Sequence, residues 1–247
     1  MLLEREQLER MYGVSLDGTY TAQSFMRDFQ DDLGRAESPG RLMDVTMQAL
    51  EWYVCGQFPS RGWCGNPRQQ PRLEVFEKSM AAGKMVVSRF YEGEPMGAQE
   101  IWDQFYPFIG DFIGFSMGIT REGNRHLNSK KRSVLDFVHK LMEDPQARAC
   151  EHVVFIANGG IEPALIASHY LNIPKITPIA FSAYRLSDEE VCLPFWLYDS
   201  GRIEEIEGKN VLLVDDVKSQ GTSLDRVTGF IETQKPKSII PRYVFKI

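Results

Sequence analysis

The chain has 247 residues, of which 43% are hydrophobic and 25% are charged, the ordinary balance of a globular protein with an ample core. Its formal net charge of −6 argues against a protein whose whole surface is built to bind nucleic acid. The four cysteines lack the CxxC spacing of metal sites and are too few for a disulfide scaffold, so the expected location is a reducing cytoplasm. The first ten residues carry charges throughout, and no signal peptide is predicted.

The first 128 residues contain no chemical motif and are predicted to form a helical accessory or hood domain. Apolar residues recur there at helical spacing, and a segment rich in proline and glycine predicts a loop between two of the helices. The predicted helices span residues 15–33, 41–54 and 73–90, and the loop spans residues 59–71.

Aromatic side chains are concentrated in residues 101–120. Asp103 and Asp111 interrupt this run and Pro107 breaks it, so the segment is not predicted to span a membrane. We expect one broken helix or two short helices whose rings pack against the second domain, and the alternative is that a base or cofactor stacks on these rings.

A local basic cluster at residues 121–132 stands out in an otherwise acidic chain. One interpretation is a patch that binds a polyanion such as nucleic acid. The other is a solvated linker between two domains, which is favoured because the cluster contains no aromatic residue. Its basic residues are Arg121, Arg125, His126, Lys130, Lys131 and Arg132.

Helix and strand patterns alternate from about residue 129 to the end, which predicts an α/β domain over 129–247. Its central sheet is expected to be mostly parallel, with flanking helices. The predicted strands span residues 153–156, 176–181, 211–214 and 238–247, and residues 191–198 and 203–206 are predicted to form a hairpin.

The most informative stretch runs from Val211 to Ser223 and reads VLLVDDVKSQGTS. Its first four residues are typical of a buried parallel strand, and Asp215 and Asp216 follow at the edge where α/β sheets bind ligands. Adjacent residues leaving a strand point in different directions, so these carboxylates are not expected to share a proton. The hydroxyls and backbone amides of the next loop and helix start form a phosphate cradle. A phosphorylated sugar with a vicinal diol, with or without magnesium, suits both features.

This stretch resembles the phosphoribosyl pyrophosphate (PRPP) signature of the type I phosphoribosyltransferases. The resemblance covers about residues 130–247 and implies a phosphoribosyltransferase-like, Rossmann-like domain. It implies that Asp215 and Asp216 hold the ribose diol and a magnesium ion that accompanies PRPP or pyrophosphate. It also implies that the loop holds the 5′-phosphate with Ser219, Gln220, Gly221, Thr222 and Ser223. The alternative is a strand that ends in two aspartates before an ordinary turn.

A second glycine turn follows the predicted strand 153–156 and precedes a helix. Residues 157–160 resemble the pyrophosphate loop of the same family, which implies that Asn158, Gly159 and Gly160 bind pyrophosphate. Asn158 stands where members commonly carry arginine or lysine, so one positive charge expected to face pyrophosphate is missing.

Two further segments resemble the family more loosely. Ser182 and Tyr184 match its flexible loop, which closes over the reacting centre and excludes water. Arg185 is expected to supply charge to the pyrophosphate, and the alternative is a surface arginine. Lys246 matches the lysine that donates to the base carbonyl in 6-oxopurine enzymes, and the alternative is a solvated lysine. The chain ends before a segment with a base-stacking aromatic residue, so the helical N-terminal part is expected to supply the hood.

The resemblance predicts an enzyme that transfers ribose 5-phosphate from PRPP to a nitrogenous acceptor, such as a purine base, with release of pyrophosphate. The alternative is a weak or inactive relative that senses PRPP or a nucleotide, or binds a partner, since Asn158, Gln220 and the helical extension depart from the family. Assembly into a homo-oligomer is left open. The residues with an expected catalytic role are Asp215, Asp216, Ser219, Tyr184 and Arg185.

Overall fold

This computed structural model describes most of both predicted halves of the chain. The described residues are 29–55, 58, 73–108, 131–157, 159–181, 191–198, 201–218 and 222–246. The predicted loop at 59–71, most of the first predicted helix and all of the basic cluster before Lys131 lie outside them. The predicted domain boundary near residue 128 also lies outside them and stays a prediction.

The described N-terminal part is helical, as predicted. Residues 29–34 are helical, and they are followed by α1 (Pro39–Cys55), α2 (Leu73–Glu92), α3 (Ala98–Phe105) and a 3-10 turn (Tyr106–Phe108). Each helix buries one apolar stripe; in α3 the stripe consists of Ile101, Trp102 and Phe105. Within the described residues, no helix is both long and apolar enough to cross a membrane.

The C-terminal half contains a four-stranded parallel sheet, which confirms the predicted fold class. Its strand order is β2-β1-β3-β4, so the first and third strands along the chain lie in the middle. The strands are β1 (His152–Ile156), β2 (Lys175–Ile179), β3 (Asn210–Lys218) and β4 (Ser238–Lys246). The helices between and before them are α4 (Lys131–Glu143), α5 (Pro145–Arg148), α6 (Ile161–Tyr170), α7 (Phe195–Tyr198) and α8 (Thr222–Thr233).

Helices cover both faces of the sheet, which explains why the central strands are apolar on both sides. Along β3, Leu212 and Val214 belong to a core that includes α4 and α6, whereas Val211 and Leu213 belong to a second core that includes α8. Successive strand residues point to opposite faces, so each of the two cores takes alternate side chains of the same strand.

The first of these cores continues from the sheet through α6 into the N-terminal helices α1 and α2. The residues of α6 from Ile161 to Ser168 are all buried, because the sheet covers one side of this helix and α1 and α2 cover the other. Gly83 of α2 allows the close approach: a Cβ there would lie 3.0 Å from Cδ1 of Leu165 and closer still to Cδ1 of Leu50. The helical part is therefore a third layer packed on the α/β half.

The predicted hairpin over residues 191–206 is wrong. Residues Phe195–Tyr198 form the short helix α7, Glu204–Ile206 form a 3-10 turn, and the only pairing among the described residues here is an isolated bridge between Ala180 and Cys192. Pro194 has no N–H to donate to a strand partner, and its carbonyl accepts the N–H of Leu197 at 2.9 Å, which starts a helical turn. The apolar residues that predicted a strand pack mainly in the second core instead.

Candidate functional site

The acid pair lies at the carboxyl edge of the sheet, in a notch left by the shorter strand β1. Because β1 and β3 are parallel neighbours, their carboxyl ends meet at the same edge. Pairing between them ends with Phe155 opposite Val214, whereas β3 continues through both aspartates and remains paired with β4, with Asp215 opposite Tyr243. The acids are thus held on a regular strand beside the turn that follows β1.

Asp215 is a buried carboxyl group, only 6% exposed. Its Oδ1 accepts the backbone N–H of Asp216 at 2.9 Å. Burial is the largest cause that raises the pKa of Asp215 above its ordinary value, and the neighbouring charge of Asp216 and a hydrogen bond between the two side chains add to it. This interaction was not predicted, because the side chains of adjacent strand residues point to opposite faces of the sheet.

The side chain of Asp216 lies against the glycine turn after β1. A Cβ atom built on Gly159 would fall on the carboxyl group of Asp216, so only a glycine leaves room for this carboxylate at this position. The acid pair and the glycine turn, which are far apart in the sequence, therefore contact each other at the carboxyl edge of the sheet.

Gly160 is in equally close contact with the backbone. A Cβ built on it would lie 2.7 Å from the carbonyl oxygen of Ile156 and 3.0 Å from that of Val214, which is too close for any side chain. The N–H of Gly160 donates to the Ile156 carbonyl at 3.1 Å, and its own carbonyl accepts the N–H of Ala164 at 3.0 Å. The turn and the first turn of α6 thus form one continuous hydrogen-bonded unit.

The other predicted site residues are placed only in part. Thr222 opens α8 and Lys246 ends β4 opposite Lys218, as backbone positions whose side chains are not described. Ser223 is half-buried in the first turn of α8. Outside the described residues lie Asn158, Ser182, Tyr184, Arg185, Ser219, Gln220 and Gly221.

Glu162, a buried carboxylate in the first turn of α6, was not predicted as a site residue. The hydroxyl of Tyr91, from α2, donates to its Oε1 at 2.5 Å. The sequence does show an acid just after the glycine turn, in a helix that is otherwise largely apolar. The sequence does not show that Tyr91 is the partner of this acid, because Tyr91 comes from the distant helical part of the chain.

The described residues contain no group of three or more His, Cys, Asp and Glu side chains arranged to hold a metal ion. Asp215 and Asp216 supply carboxylate oxygens, which are the ligands that magnesium takes, and magnesium is usually bound through one or two carboxylates together with substrate oxygens and water. The acid pair fits that role and does not form a cage by itself.

Comparison with known proteins gives a family for the C-terminal half. Residues 134–244 match the model of the phosphoribosyl transferase domain. No curated protein matches the chain.

Several solved structures resemble parts of the chain. A purine phosphoribosyltransferase from Pyrococcus horikoshii is 24% identical, over 45% of this chain and 68% of that chain, with a TM-score of 0.36. A xanthine-guanine-hypoxanthine phosphoribosyltransferase from Helicobacter pylori is 17% identical over 47% and 70%, with a TM-score of 0.35. A hypothetical protein from Neisseria gonorrhoeae with bound ppGpp is 18% identical over 47% and 77%, with a TM-score of 0.38.

The match to the family model includes the glycine turn, the strand with both aspartates and the helix that follows it. The C-terminal half of this chain, over residues 134–244, belongs to the phosphoribosyl transferase domain family.

Proposed function

We propose that the chain binds PRPP with magnesium and transfers its ribose 5-phosphate unit to a nitrogenous acceptor, such as a purine base. The observation that carries this proposal is the contact between Asp216 and Gly159, which brings the acid pair and the glycine turn together at one edge of the sheet. A ligand with a diol at one end and a pyrophosphate beside it spans these two features.

In this proposal each described residue has a separate role. Asp216, half-buried at the edge, accepts hydrogen bonds from the ribose hydroxyls, and Asp215 behind it orients Asp216 through its hydrogen bond to the backbone. The amide of Gly159 faces the pyrophosphate, at the start of α6 where the helix dipole favours an anion. Magnesium bound with PRPP neutralises charge on the departing pyrophosphate.

The remaining predicted residues keep the roles that the resemblance implies. Residues 219–223 hold the 5′-phosphate, and Asn158 adds a polar group to the pyrophosphate turn. Tyr184 closes over the site, Arg185 supplies charge to the pyrophosphate, and Lys246 contacts the acceptor. As the C1–O bond to pyrophosphate breaks, a C1–N bond to the acceptor forms and the acceptor nitrogen releases its proton to water. Positioning and preorganised hydrogen bonds supply most of the rate enhancement. A cytoplasmic location belongs to the same proposal.

The second candidate is a sensor that binds PRPP or a nucleotide without turning it over, or a module that binds a partner. The observation that favours it is the direct packing of the helical part on α6, the helix that begins at the glycine turn. A ligand at this turn would then alter the arrangement of α1 and α2, and a partner that contacts them would respond. The basic cluster at 121–132 is the segment that nucleic acid would contact in this case.

Mixing the protein with PRPP, magnesium and a panel of purine and pyrimidine bases separates the two candidates. Release of pyrophosphate that depends on one base supports the enzyme, whereas saturable PRPP binding without release supports the sensor. Asp216→Asn should weaken PRPP binding because a neutral amide binds the diol and magnesium less well than a carboxylate. Gly221→Val should abolish it by filling the phosphate cradle.

Asp136→Asn is the matched control, since Asp136 is an exposed acid on α4 and its replacement makes the same change in net charge. Calorimetric titration with PRPP and magnesium gives the affinity of each variant. If Asp216→Asn and Gly221→Val both bind PRPP as tightly as Asp136→Asn does, the acid pair and the loop are not the site.

A further inference from the structure

Glu162 is a buried acid next to the glycine turn, and the proposed function gives it no role. It lies in the first turn of α6, two residues after Gly160, and is only 4% exposed. A buried carboxylate is costly unless hydrogen-bond donors and favourable dipoles surround it. The amino end of α6 supplies the dipole, since a negative charge there is stabilised by the first-turn amides.

Tyr91 of α2 supplies a donor to this carboxylate. Its hydroxyl donates to Oε1 of Glu162 at 2.5 Å, a short bond of the kind formed by a charged acceptor. Burial, and next the negative charge of Glu162, raise the pKa of Tyr91 above its ordinary value, and Asp44 of α1 adds a smaller contribution of the same sign. The tyrosine therefore keeps its proton and remains a donor throughout the physiological pH range.

The first turn of α6 cannot move without moving the glycine turn. Gly160 donates to the Ile156 carbonyl at 3.1 Å, and its carbonyl accepts from Ala164 at 3.0 Å. A Cβ built on Gly160 would lie against the carbonyls of Ile156 and Val214, so the backbone is closely packed at this residue. A displacement of Glu162 is therefore transmitted to the glycine turn.

We propose that Tyr91 is a positioning residue for pyrophosphate, which fixes Glu162 and through it the glycine turn that presents the amide of Gly159. It acts from the helical part of the chain and does not itself touch the ligand. This inference rests on the proposed function, because it assigns that amide to pyrophosphate. It gives the helical part a defined task in ligand binding, in addition to its packing on α6.

The same pair of helices offers a matched control at a different place. Lys84, also on α2, donates from Nζ to the carbonyl and hydroxyl oxygens of Ser168, each at 3.2 Å. Ser168 lies near the carboxyl end of α6, away from the turn. Replacing Lys84 removes hydrogen bonds between α2 and α6 while leaving the bond between Tyr91 and Glu162 in place.

The test titrates the full chain with magnesium pyrophosphate and, separately, with ribose 5-phosphate, and records the melting temperature of each variant. Tyr91→Phe should raise the Kd for pyrophosphate about tenfold, the usual effect of losing a group that orients a ligand-binding residue. The Kd for ribose 5-phosphate should not change, because residues 215–223 bind it. Lys84→Met should leave both dissociation constants unchanged even where its melting temperature falls.

Two replacements of Glu162 provide a second, independent measurement. Glu162→Gln keeps an oxygen that accepts from Tyr91 and should retain the wild-type affinity for pyrophosphate, whereas Glu162→Ala should weaken it as Tyr91→Phe does. Wild-type pyrophosphate affinity in Tyr91→Phe overturns the inference and leaves the proposed function intact. Equal weakening of both ligands also overturns it, because a general loss of structure explains that result. A wild-type chain that binds neither PRPP nor pyrophosphate overturns the inference and the proposed function together.

Discussion

Asp215→Asn is expected to stabilise the folded protein at neutral pH. Burial and the charge of Asp216 raise the pKa of Asp215 from 3.8 to about 8, so near neutral pH the folded protein retains a proton that the unfolded chain releases. The sign follows from linkage. The cost in folding free energy is absent below the pKa that Asp215 has in the unfolded chain. It grows as pH rises above that value and reaches its full size once pH passes the pKa of Asp215 in the folded protein.

The size of the effect follows from the same shift. A proton retained only by the folded state costs about 1.4 kcal/mol for each pH unit above the unfolded pKa, which sets a ceiling of about 4 kcal/mol near pH 7. Asparagine keeps an oxygen for the N–H of Asp216 and offers an amide to the Asp216 carboxylate. A poorly satisfied buried polar group usually costs about 1–3 kcal/mol, and the asparagine amide loses that much of the ceiling. We therefore expect a net gain in the free energy of unfolding of about 1–3 kcal/mol.

Urea unfolding of the wild type, Asp215→Asn and the surface control Asp136→Asn measures this gain. It should be close to zero at about pH 3.5 and largest at about pH 7.5. Asp136→Asn should leave the free energy of unfolding unchanged at both pH values. A gain that is equal at the two pH values, or a loss of stability at the higher one, would contradict a retained proton on Asp215 in the folded protein.

Three further predictions concern other parts of the fold. His152 is hydrogen-bonded to Thr177 at 2.8 Å, and burial lowers the pKa of this histidine to about 4. The wild type should therefore lose about 3 kcal/mol of its free energy of unfolding as pH falls from the unfolded to the folded pKa of His152. In urea unfolding, His152→Gln should flatten this pH dependence. Gly159→Ala displaces the Asp216 carboxylate, so its PRPP affinity should fall in calorimetry with little change in melting temperature. Gly83→Val overpacks the contact between α2 and α6, and denaturation should show a loss of about 1–3 kcal/mol.

Local sequence patterns predicted much of the fold. The apolar run Val211–Val214 and the helical spacing after Thr222 predicted β3 and α8, and both are present, although β3 continues through the aspartates to Lys218. These elements are predictable because their burial follows from their own sequence period. The helices of the N-terminal part were predictable for the same reason, and their edges in the structure differ from the predicted ones by about two residues, as is usual for helix ends.

The errors and omissions concern properties that depend on distant residues. Residues 191–206 contain enough apolar side chains for two strands, but in the described part of the chain their only pairing is one isolated bridge, and a helical turn begins at Pro194. The interaction of Asp215 with Asp216 depends on burial and on the conformations of both side chains, which sequence spacing does not determine. The role of Glu162 depends on Tyr91, and only the packing of α2 on α6 brings the two together.

The layered arrangement constrains both candidate functions in the same way. The glycine turn contacts Asp216 on one side and continues into α6 on the other, and α6 is enclosed by α1 and α2. If pyrophosphate at the turn favours one arrangement of the helical layer, that arrangement must by reciprocity favour pyrophosphate to the same degree. An enzyme would use this linkage to order the site when substrate binds, and a sensor would use it to report the ligand to a partner. Affinity measurements reveal the linkage in either case, and only turnover with a defined base assigns it to catalysis.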